Sequence, residues 1–192
     1  MSDAIAVIPA RGGSRRIPGK NVREFHGLPI IAYSIMKARE SGLFSYIVVS
    51  SDDAHILEVG LSYGAYPLGR SRDLSDDKIG TQTVMAEVLK RIQHCGLFEG
   101  CPDYTCCIYA TAPLMSVDDL KMGYRLLKED MGLTDYVFSV GYPPLHDAAQ
   151  FYWARTATFM MNAPLVSHRS RIIKVDENRD CDIKREDRDW ET

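Results

Sequence analysis

Apolar and polar positions alternate along this chain in blocks that predict strands and helices in turn. Residues 4–8 (AIAVI) form a short, wholly apolar run, as in a strand buried on both faces. Between Pro29 and Gly42, apolar residues recur at helical spacing. Residues 46–50 (YIVVS) predict a second strand. Because strand, helix and strand follow one another, the pattern favours an α/β fold with a parallel sheet.

The later segments continue this alternation. A second helix is expected to be capped by Ser51 or Asp52, and a third to begin at Thr81. Ser116 and Asp119 approximate the capping box of a fourth helix. Further strands are predicted at residues 104–109, 136–140, 150–153 and 171–175.

The composition is that of one ordinary globular domain spanning residues 1–192. Of the 192 residues, 45% are hydrophobic and 26% charged, and the net charge is −3. This balance argues against a general nucleic-acid-binding protein, which needs a basic face. Because the sequence has neither a signal-peptide pattern nor a membrane-length apolar run, we expect a cytoplasmic protein without a membrane partner. Its five cysteines predict free thiols rather than a disulfide framework or a zinc site.

The stretch 8–21 (IPARGGSRRIPGKN) is the strongest candidate for chemistry. It follows the first strand and combines Gly12 and Gly13 with the cations Arg11, Arg15, Arg16 and Lys20. Glycines allow backbone N–H groups to approach phosphate oxygens, and the cations supply charge-assisted hydrogen bonds. The spacing matches neither the P-loop nor the dinucleotide-binding motif, and a solvated basic surface loop is the alternative. Its position after a buried strand favours phosphate binding.

This stretch resembles the N-terminal signature of the CMP-sialic acid synthetase (acylneuraminate cytidylyltransferase) family. It is most similar to the pseudaminic acid cytidylyltransferase branch, which reads nearly IPARGGSKRIPGKN. Similar motifs recur almost throughout the chain, at 49–53 (VSSDD), 69–81 (GRSRDLSDDKIGT), 104–114 (YTCCIYATAPL), 136–140 (YVFSV) and 146–153 (HDAAQFYW, like HDAGQFYW in that branch). The resemblance implies a three-layer, Rossmann-like fold with a mostly parallel sheet, of the nucleotide-diphospho-sugar transferase type.

The resemblance also implies a reaction. The anomeric hydroxyl of an acidic nine-carbon sugar, with pseudaminic acid as the first candidate, would attack the α-phosphate of CTP and release pyrophosphate. Arg11 and Lys20 would be the catalytic cations. The nucleotide would be held by Arg11, Gly12, Gly13, Ser14, Arg15, Lys20, Asn21, Arg70 and Thr81. For Arg70, a surface ion pair with Asp73 or Asp76 is the alternative.

A second group of residues would, on the same resemblance, face the sugar. They are Tyr109, Thr111, His146, Asp147 and Gln150. A lone histidine is more often structural. Here, however, His146 and Asp147 stand beside a glutamine and two aromatic residues, which looks like the wall of a polar pocket.

The expected cofactor is Mg²⁺ or Mn²⁺, with Asp182 as the family's ligand. Lys184 stands where the family carries a second metal-binding carboxylate, and Asp52 is a possible replacement. The alternative is that 182–189 is an exposed charged tail. A further departure lies between residues 140 and 146, where the family inserts a few tens of residues that help to form a dimer and cover the sugar. We expect the core to fold without them and any homodimer to be weaker.

Three functions remain open at this point. The first is a cytidylyltransferase that makes a CMP-activated nonulosonic acid for a surface glycan or flagellin glycan. The second keeps nucleotidyl transfer and changes the sugar or base, as with Kdo, N-acetylneuraminic acid or a nucleotide-sugar pyrophosphorylase. The third is a nucleotide-binding homologue with impaired turnover.

Overall fold

The computed structural model describes residues 3–14, 17–76, 78–96, 102–130 and 132–180. Its strands are β1 (Ala4–Pro9), β2 (Glu24–Phe25), β3 (Leu28–Pro29), β4 (Tyr46–Ser51), β5 (Tyr66–Gly69), β6 (Tyr104–Ile108), β7 (Tyr136–Gly141), β8 (His146–Arg155) and β9 (Ser170–Lys174). Its α-helices are α1 (Ile30–Ser41), α2 (Ala54–Ser62), α3 (Thr81–His94), α4 (Val117–Glu129) and α5 (Thr156–Met160). Short 3₁₀ helices lie at Lys20–Val22, Arg72–Ser75 and Glu177–Arg179.

A seven-stranded sheet organises the fold, in the order β5-β4-β1-β6-β8-β7-β9. β1 pairs in parallel with β4 and β6, β4 with β5, and β7 with β9. β8 alone among these strands is antiparallel to its neighbours, β6 and β7. The predicted mostly parallel sheet is therefore confirmed.

The two faces of β1 face two separate cores. Ala4, Ala6 and Ile8 pack in a cluster with side chains of α1, α2 and α4. Ile5 and Val7 pack in a second cluster with side chains of α3 and α5. Since all five side chains are fully buried, the wholly apolar run is explained, and the predicted three layers are confirmed.

The helix caps differ in detail from the sequence expectations. The prediction of Ser51 or Asp52 as the cap of α2 was wrong, because Asp53 Oδ1 accepts the N–H groups of His55 (2.8 Å) and Ile56 (3.2 Å). Asp52 is thereby left to make a different contact. Ser116 caps α4, because its Oγ accepts the Asp118 N–H, and this prediction is confirmed. The Asp119 carboxylate forms an ion pair with Arg179 in the described structure instead of completing the capping box.

Element boundaries were missed where the apolar pattern is weak. The apolar pattern predicted no element within residues 69–80, yet this stretch contains the end of β5 and the 3₁₀ helix Arg72–Ser75. β5 is an edge strand with mostly exposed side chains, so it lacks the apolar run of a buried strand. β8 begins at His146, four residues before its predicted start. The short connection before it forms a turn, and Gly141 pairs directly with His146.

The described residues also test the expectations about membrane-spanning segments and cysteines. No α-helix in the described ranges is long and apolar enough to cross a membrane. Cys95, Cys106 and Cys107 are free thiols, and the last two are buried in β6. Cys101 and Cys181 lie outside the described residues.

We predict that Gly123→Ala destabilises the fold. A Cβ at this position of α4 would lie 2.6 Å from Cδ1 of the fully buried Trp153. Helix propensity alone would favour alanine by about 1 kcal/mol, whereas overpacking costs about 1–3 kcal/mol. Thermal or denaturant unfolding should therefore show a net loss of stability. Met122→Ala, at an exposed position of the same helix, is the control with a small expected effect, and a Gly123→Ala variant as stable as wild type would contradict the packing.

Candidate functional site

A cleft of about 380 Å³ lies at the carboxyl ends of β1 and β6. The chain leaves β1 through α1 on one face of the sheet and reaches β6 through α3 on the other, so the cleft occupies a topological switch point. Most of the sequence-predicted site residues line it, namely Arg11, Ser14, Lys20, Asn21, Arg70, Thr81, Tyr109, Thr111 and Asp147. An adjoining open depression is lined by Gly13 and Asp52, among others.

The glycine-rich loop is fixed against the start of α2. Gly12 N–H donates to Asp52 Oδ1 at 3.1 Å. A Cβ on Gly12 would lie 2.7 Å from Oδ2 of Asp53, the residue that caps α2. Gly13, in contrast, has open space at its Cβ position. The two glycines therefore have different roles, since only Gly12 is required for a close approach.

Asn21 supports the loop from the other side. Its side chain is buried, and its Nδ2 donates to the Arg11 carbonyl at 2.9 Å. Lys20 precedes it at the start of a 3₁₀ helix, after Gly19, which has a left-handed backbone (φ 64°). This arrangement brings the Arg11 and Lys20 side chains to the same cleft.

Arg70 adds a third cation to the cleft. Its backbone N–H donates to the Ser51 carbonyl at 2.8 Å, and its Nε donates to Ser75 Oγ at 2.9 Å. Among the described residues it forms no ion pair with Asp73 or Asp76, so the surface-pair alternative is wrong. Its Nη1 is buried without a hydrogen-bond partner in the described structure, which suits a donor to an anionic ligand. Burial lowers the pKa of Arg70, but an arginine remains charged.

The opposite wall of the cleft carries hydroxyl groups and a carboxylate. Thr81 Oγ1 and the Tyr109 hydroxyl are 2.7 Å apart, and the Tyr152 hydroxyl donates to the Asp147 carboxylate. Burial raises the pKa of Tyr109 to about 12 and also raises the pKa of Tyr152. Both phenols are therefore protonated at neutral pH and able to donate hydrogen bonds.

Two predicted sugar contacts point elsewhere. Gln150 is fully buried, and its Nε2 donates to the Arg179 carbonyl. His146 Nε2 lies 2.9 Å from Asp180 Oδ2, and its Nδ1 lies 2.7 Å from the Pro144 carbonyl oxygen. Neither side chain lines the cleft in the described structure. Both instead contact the segment that follows β9.

Sequence reasoning overlooked other lining residues. Ser75, Asp76, Ala149 and Tyr152 all border the cleft. Each lies inside a motif that carried the resemblance, so the motifs contained the signal. Ala149 has a left-handed backbone (φ 49°) beside the register shift between β7 and β8, at the position of a glycine in HDAGQFYW.

Two predicted site residues, Arg15 and Asp182, lie outside the described residues, as does Lys184. In the described ranges there is no group of three or more His, Cys, Asp or Glu side chains that could hold a metal ion. Carboxylates at the cleft and the adjoining depression come from Asp52, Asp73, Asp76 and Asp147. The described site is therefore cationic at the glycine-rich loop and rich in hydroxyl and carboxylate groups opposite. It suits a ligand with an anionic end and a polar, hydroxylated end.

Comparison with known proteins is consistent with this geometry. A family model described as cytidylyltransferase matches residues 5–168. The pseudaminic acid cytidylyltransferase of Campylobacter jejuni is 46% identical over 122 residues, which are 63% of this chain and 51% of the relative. The CMP-N,N'-diacetyllegionaminic acid synthase of Legionella pneumophila is 42% identical over 95 residues, 49% of this chain and 41% of that relative. The chain thus spans about half the length of the curated Campylobacter relatives it matches.

Among solved structures, the fold is similar to that of CMP:2-keto-3-deoxy-manno-octonic acid synthetase complexed with CTP. The TM-score is 0.71 at 16% identity, with 91% of this chain and 90% of that chain covered. A 4-diphosphocytidyl-2C-methyl-D-erythritol synthase from Anaerococcus prevotii gives a TM-score of 0.62 at 8% identity, with 93% and 91% covered. At such identities the likeness establishes the fold.

The two adjacent glycines provide a matched test of the loop. We predict that Gly12→Ala weakens the binding of inorganic tripolyphosphate by about tenfold or more, because the new Cβ displaces the loop and at least one charge-assisted contact, worth about 1.5–3 kcal/mol, is lost. Gly13→Ala should change the affinity much less, since its Cβ meets open space. Isothermal titration calorimetry on both variants measures this, and equal effects at the two positions would contradict the assigned roles.

Proposed function

This chain belongs to the cytidylyltransferase family, and from that premise we propose that it transfers CMP from CTP to an acidic nine-carbon sugar. The single observation that carries the proposal is the convergence of Arg11, Lys20 and Arg70 on one cleft at a topological switch point. The product would serve surface-glycan or flagellin-glycan biosynthesis. Pseudaminic acid is the favoured sugar, since the Campylobacter jejuni relative of that name is 46% identical over the aligned residues.

In the proposed reaction, the anomeric oxygen of the sugar attacks the α-phosphorus of CTP. A new P–O bond forms, the bond to the β-phosphate oxygen breaks, pyrophosphate leaves, and the hydroxyl proton passes to solvent or a base. Such a transfer needs positioning and charge stabilisation more than covalent help from the protein. Arg11, Lys20 and Arg70 would neutralise the triphosphate charge, and Asn21 would hold the loop that carries Arg11.

We assign the sugar to the opposite wall. The Tyr109 phenol is protonated at neutral pH, and Thr111 adds a hydroxyl group to the same cleft, where the Tyr152 hydroxyl donates to the Asp147 carboxylate. Together these groups can donate to a carboxylate and accept from hydroxyls, which a nonulosonic acid offers side by side. We leave His146 and Gln150 out of this assignment, because their described contacts are with residues 179 and 180.

We further propose that Mg²⁺ or Mn²⁺ binds with the nucleotide. Mg²⁺ keeps several waters and needs only one or two protein carboxylates together with phosphate oxygens, and the presence of carboxylates at the cleft and the depression supports this proposal. Asp182 remains the candidate ligand from the family resemblance, whereas Asp52 already accepts a hydrogen bond from the Gly12 N–H and is not assigned to the metal. The cation would neutralise charge on the phosphates.

The biological setting follows from the proposed substrates. Since CTP is a cytoplasmic metabolite, we propose a cytoplasmic enzyme with two partners, CTP and the free sugar acid that the reaction activates. We propose that any homodimer is weak, because the connection between β7 and β8 lacks the dimer-forming segment that the family resemblance implies at this point. A nucleotide-binding homologue with impaired turnover is the second candidate, favoured by Lys184 in place of an expected carboxylate.

Pyrophosphate release tests the proposed activity. Incubation with CTP, Mg²⁺ and a panel of pseudaminic, legionaminic, N-acetylneuraminic and Kdo substrates should give the fastest release with pseudaminic acid. Arg11→Ala and Lys20→Ala should each lower CTP binding or transfer by about tenfold or more. Arg125→Ala and Lys37→Ala remove exposed cations on α4 and α1 and are the matched controls. Tight CTP binding without release on any sugar would favour the second candidate.

The metal requirement is separately testable. Excess EDTA should abolish turnover, and Asp182→Asn should raise the Mg²⁺ concentration needed for half-maximal rate. Lys184→Asp should lower that concentration, because it restores a carboxylate and removes an ammonium group. Full turnover in EDTA would refute the metal, whereas full turnover of Asp182→Asn would refute only that ligand.

A further inference from the structure

The contact between the glycine-rich loop and Asp52 has a consequence for anion binding. Gly12 N–H, a group suited to a phosphate oxygen, donates instead to a carboxylate of the protein at 3.1 Å. Asp52 comes from the β4–α2 junction, forty residues away in sequence. The loop that the proposed function assigns to an anion is therefore held by an anion belonging to the chain itself.

The carboxylate is well placed to keep its charge. Burial alone would raise the pKa of Asp52, but hydrogen bonds from the Gly12 N–H and the Ser75 side chain, together with the Arg70 charge, lower it overall. Asp52 is thus ionised at neutral pH. It borders the depression that Arg11 and Ser14 also line, next to the proposed triphosphate position.

The neighbouring residue makes this arrangement rigid. Asp53 is fixed by its own bonds to the His55 and Ile56 N–H groups, and Gly12 packs against it with no room for a Cβ. Ser51 Oγ also accepts the Asp53 N–H at 3.0 Å. Because the residues on both sides of Asp52 are held, its carboxylate is presented to the loop by a fixed backbone.

We propose that Asp52 is a positioning residue with two opposed effects on the triphosphate. Its oxygen anchors the loop through Gly12, which favours binding. Its negative charge competes with the incoming phosphates for Arg70 and the loop, which disfavours binding. The inference rests on the proposed function only in identifying the anion as the triphosphate of CTP. The residue would limit the affinity for nucleotide and for released pyrophosphate while keeping the loop in shape.

Two substitutions separate the effects. Asp52→Asn keeps an oxygen acceptor for Gly12 and removes the charge, so it should bind inorganic tripolyphosphate about threefold or more tightly than wild type at low salt. Asp52→Ala removes both the charge and the acceptor, so it should bind more weakly than Asp52→Asn. Raising the salt concentration should reduce the difference in affinity between Asp52→Asn and wild type, because that difference is electrostatic. The difference in affinity between Asp52→Asn and Asp52→Ala should remain, because it comes from the lost hydrogen bond.

Asp73 supplies the control, since it borders the same depression without a hydrogen bond from the loop in the described structure. Asp73→Asn and Asp73→Ala should therefore bind tripolyphosphate with equal affinity. Calorimetry with tripolyphosphate, CTP and cytidine measures all variants, and cytidine affinity should not change. The proposal is overturned if Asp52→Asn binds tripolyphosphate no more tightly than wild type. It is also overturned if Asp52→Asn and Asp52→Ala bind tripolyphosphate with the same affinity. If the pattern holds but CTP yields no pyrophosphate with any sugar, the positioning role stands and the proposed function fails.

Discussion

Complete burial of β1 on both faces is the constraint on which the rest of this structure depends. Residues 4–8 of this strand, covered by α1, α2 and α4 on one side and by α3 and α5 on the other, are all apolar. Polar chemistry must begin where the strand ends. The parallel neighbours β4 and β6 end at the same edge, so three chain segments meet there, and the cleft lies among them.

This constraint explains why much of the fold could be predicted from sequence. Runs such as residues 4–8 and the helical face of α3 have one physical interpretation, and the structure confirms both. The resemblance to the cytidylyltransferase family is confirmed as well. Weakly buried segments were harder, because β5 is an exposed edge strand and α5 is too short to show a period. The cap of α2 was missed because three polar residues in a row can each serve as a cap.

The sequence predicted which residues line the cleft better than it predicted their hydrogen-bond partners. The cations Arg11 and Lys20 were found from residue type and position, and Arg70 was found from the family resemblance. Hydrogen-bond partners could not be found in that way, because they depend on side chains that approach from distant parts of the chain. Gly12 with Asp52 and Gln150 with Arg179 are two such cases. The antiparallel course of β8, which brings Asp147 and Ala149 to the cleft, was likewise invisible to local periodicity.

The turn between β7 and β8 is a point at which a further segment can be inserted into this fold. Its ends, Gly141 and His146, face each other as a strand pair, and Tyr142 and Leu145 between them are 56% and 59% exposed. Because the ends of this turn are neighbours and its tip is exposed, it is a suitable point for an insertion, and the entropic cost of closing an inserted segment grows only slowly with its length. Evolution or protein engineering can therefore exchange a segment at this turn while the strands and helices that form the cleft are kept unchanged.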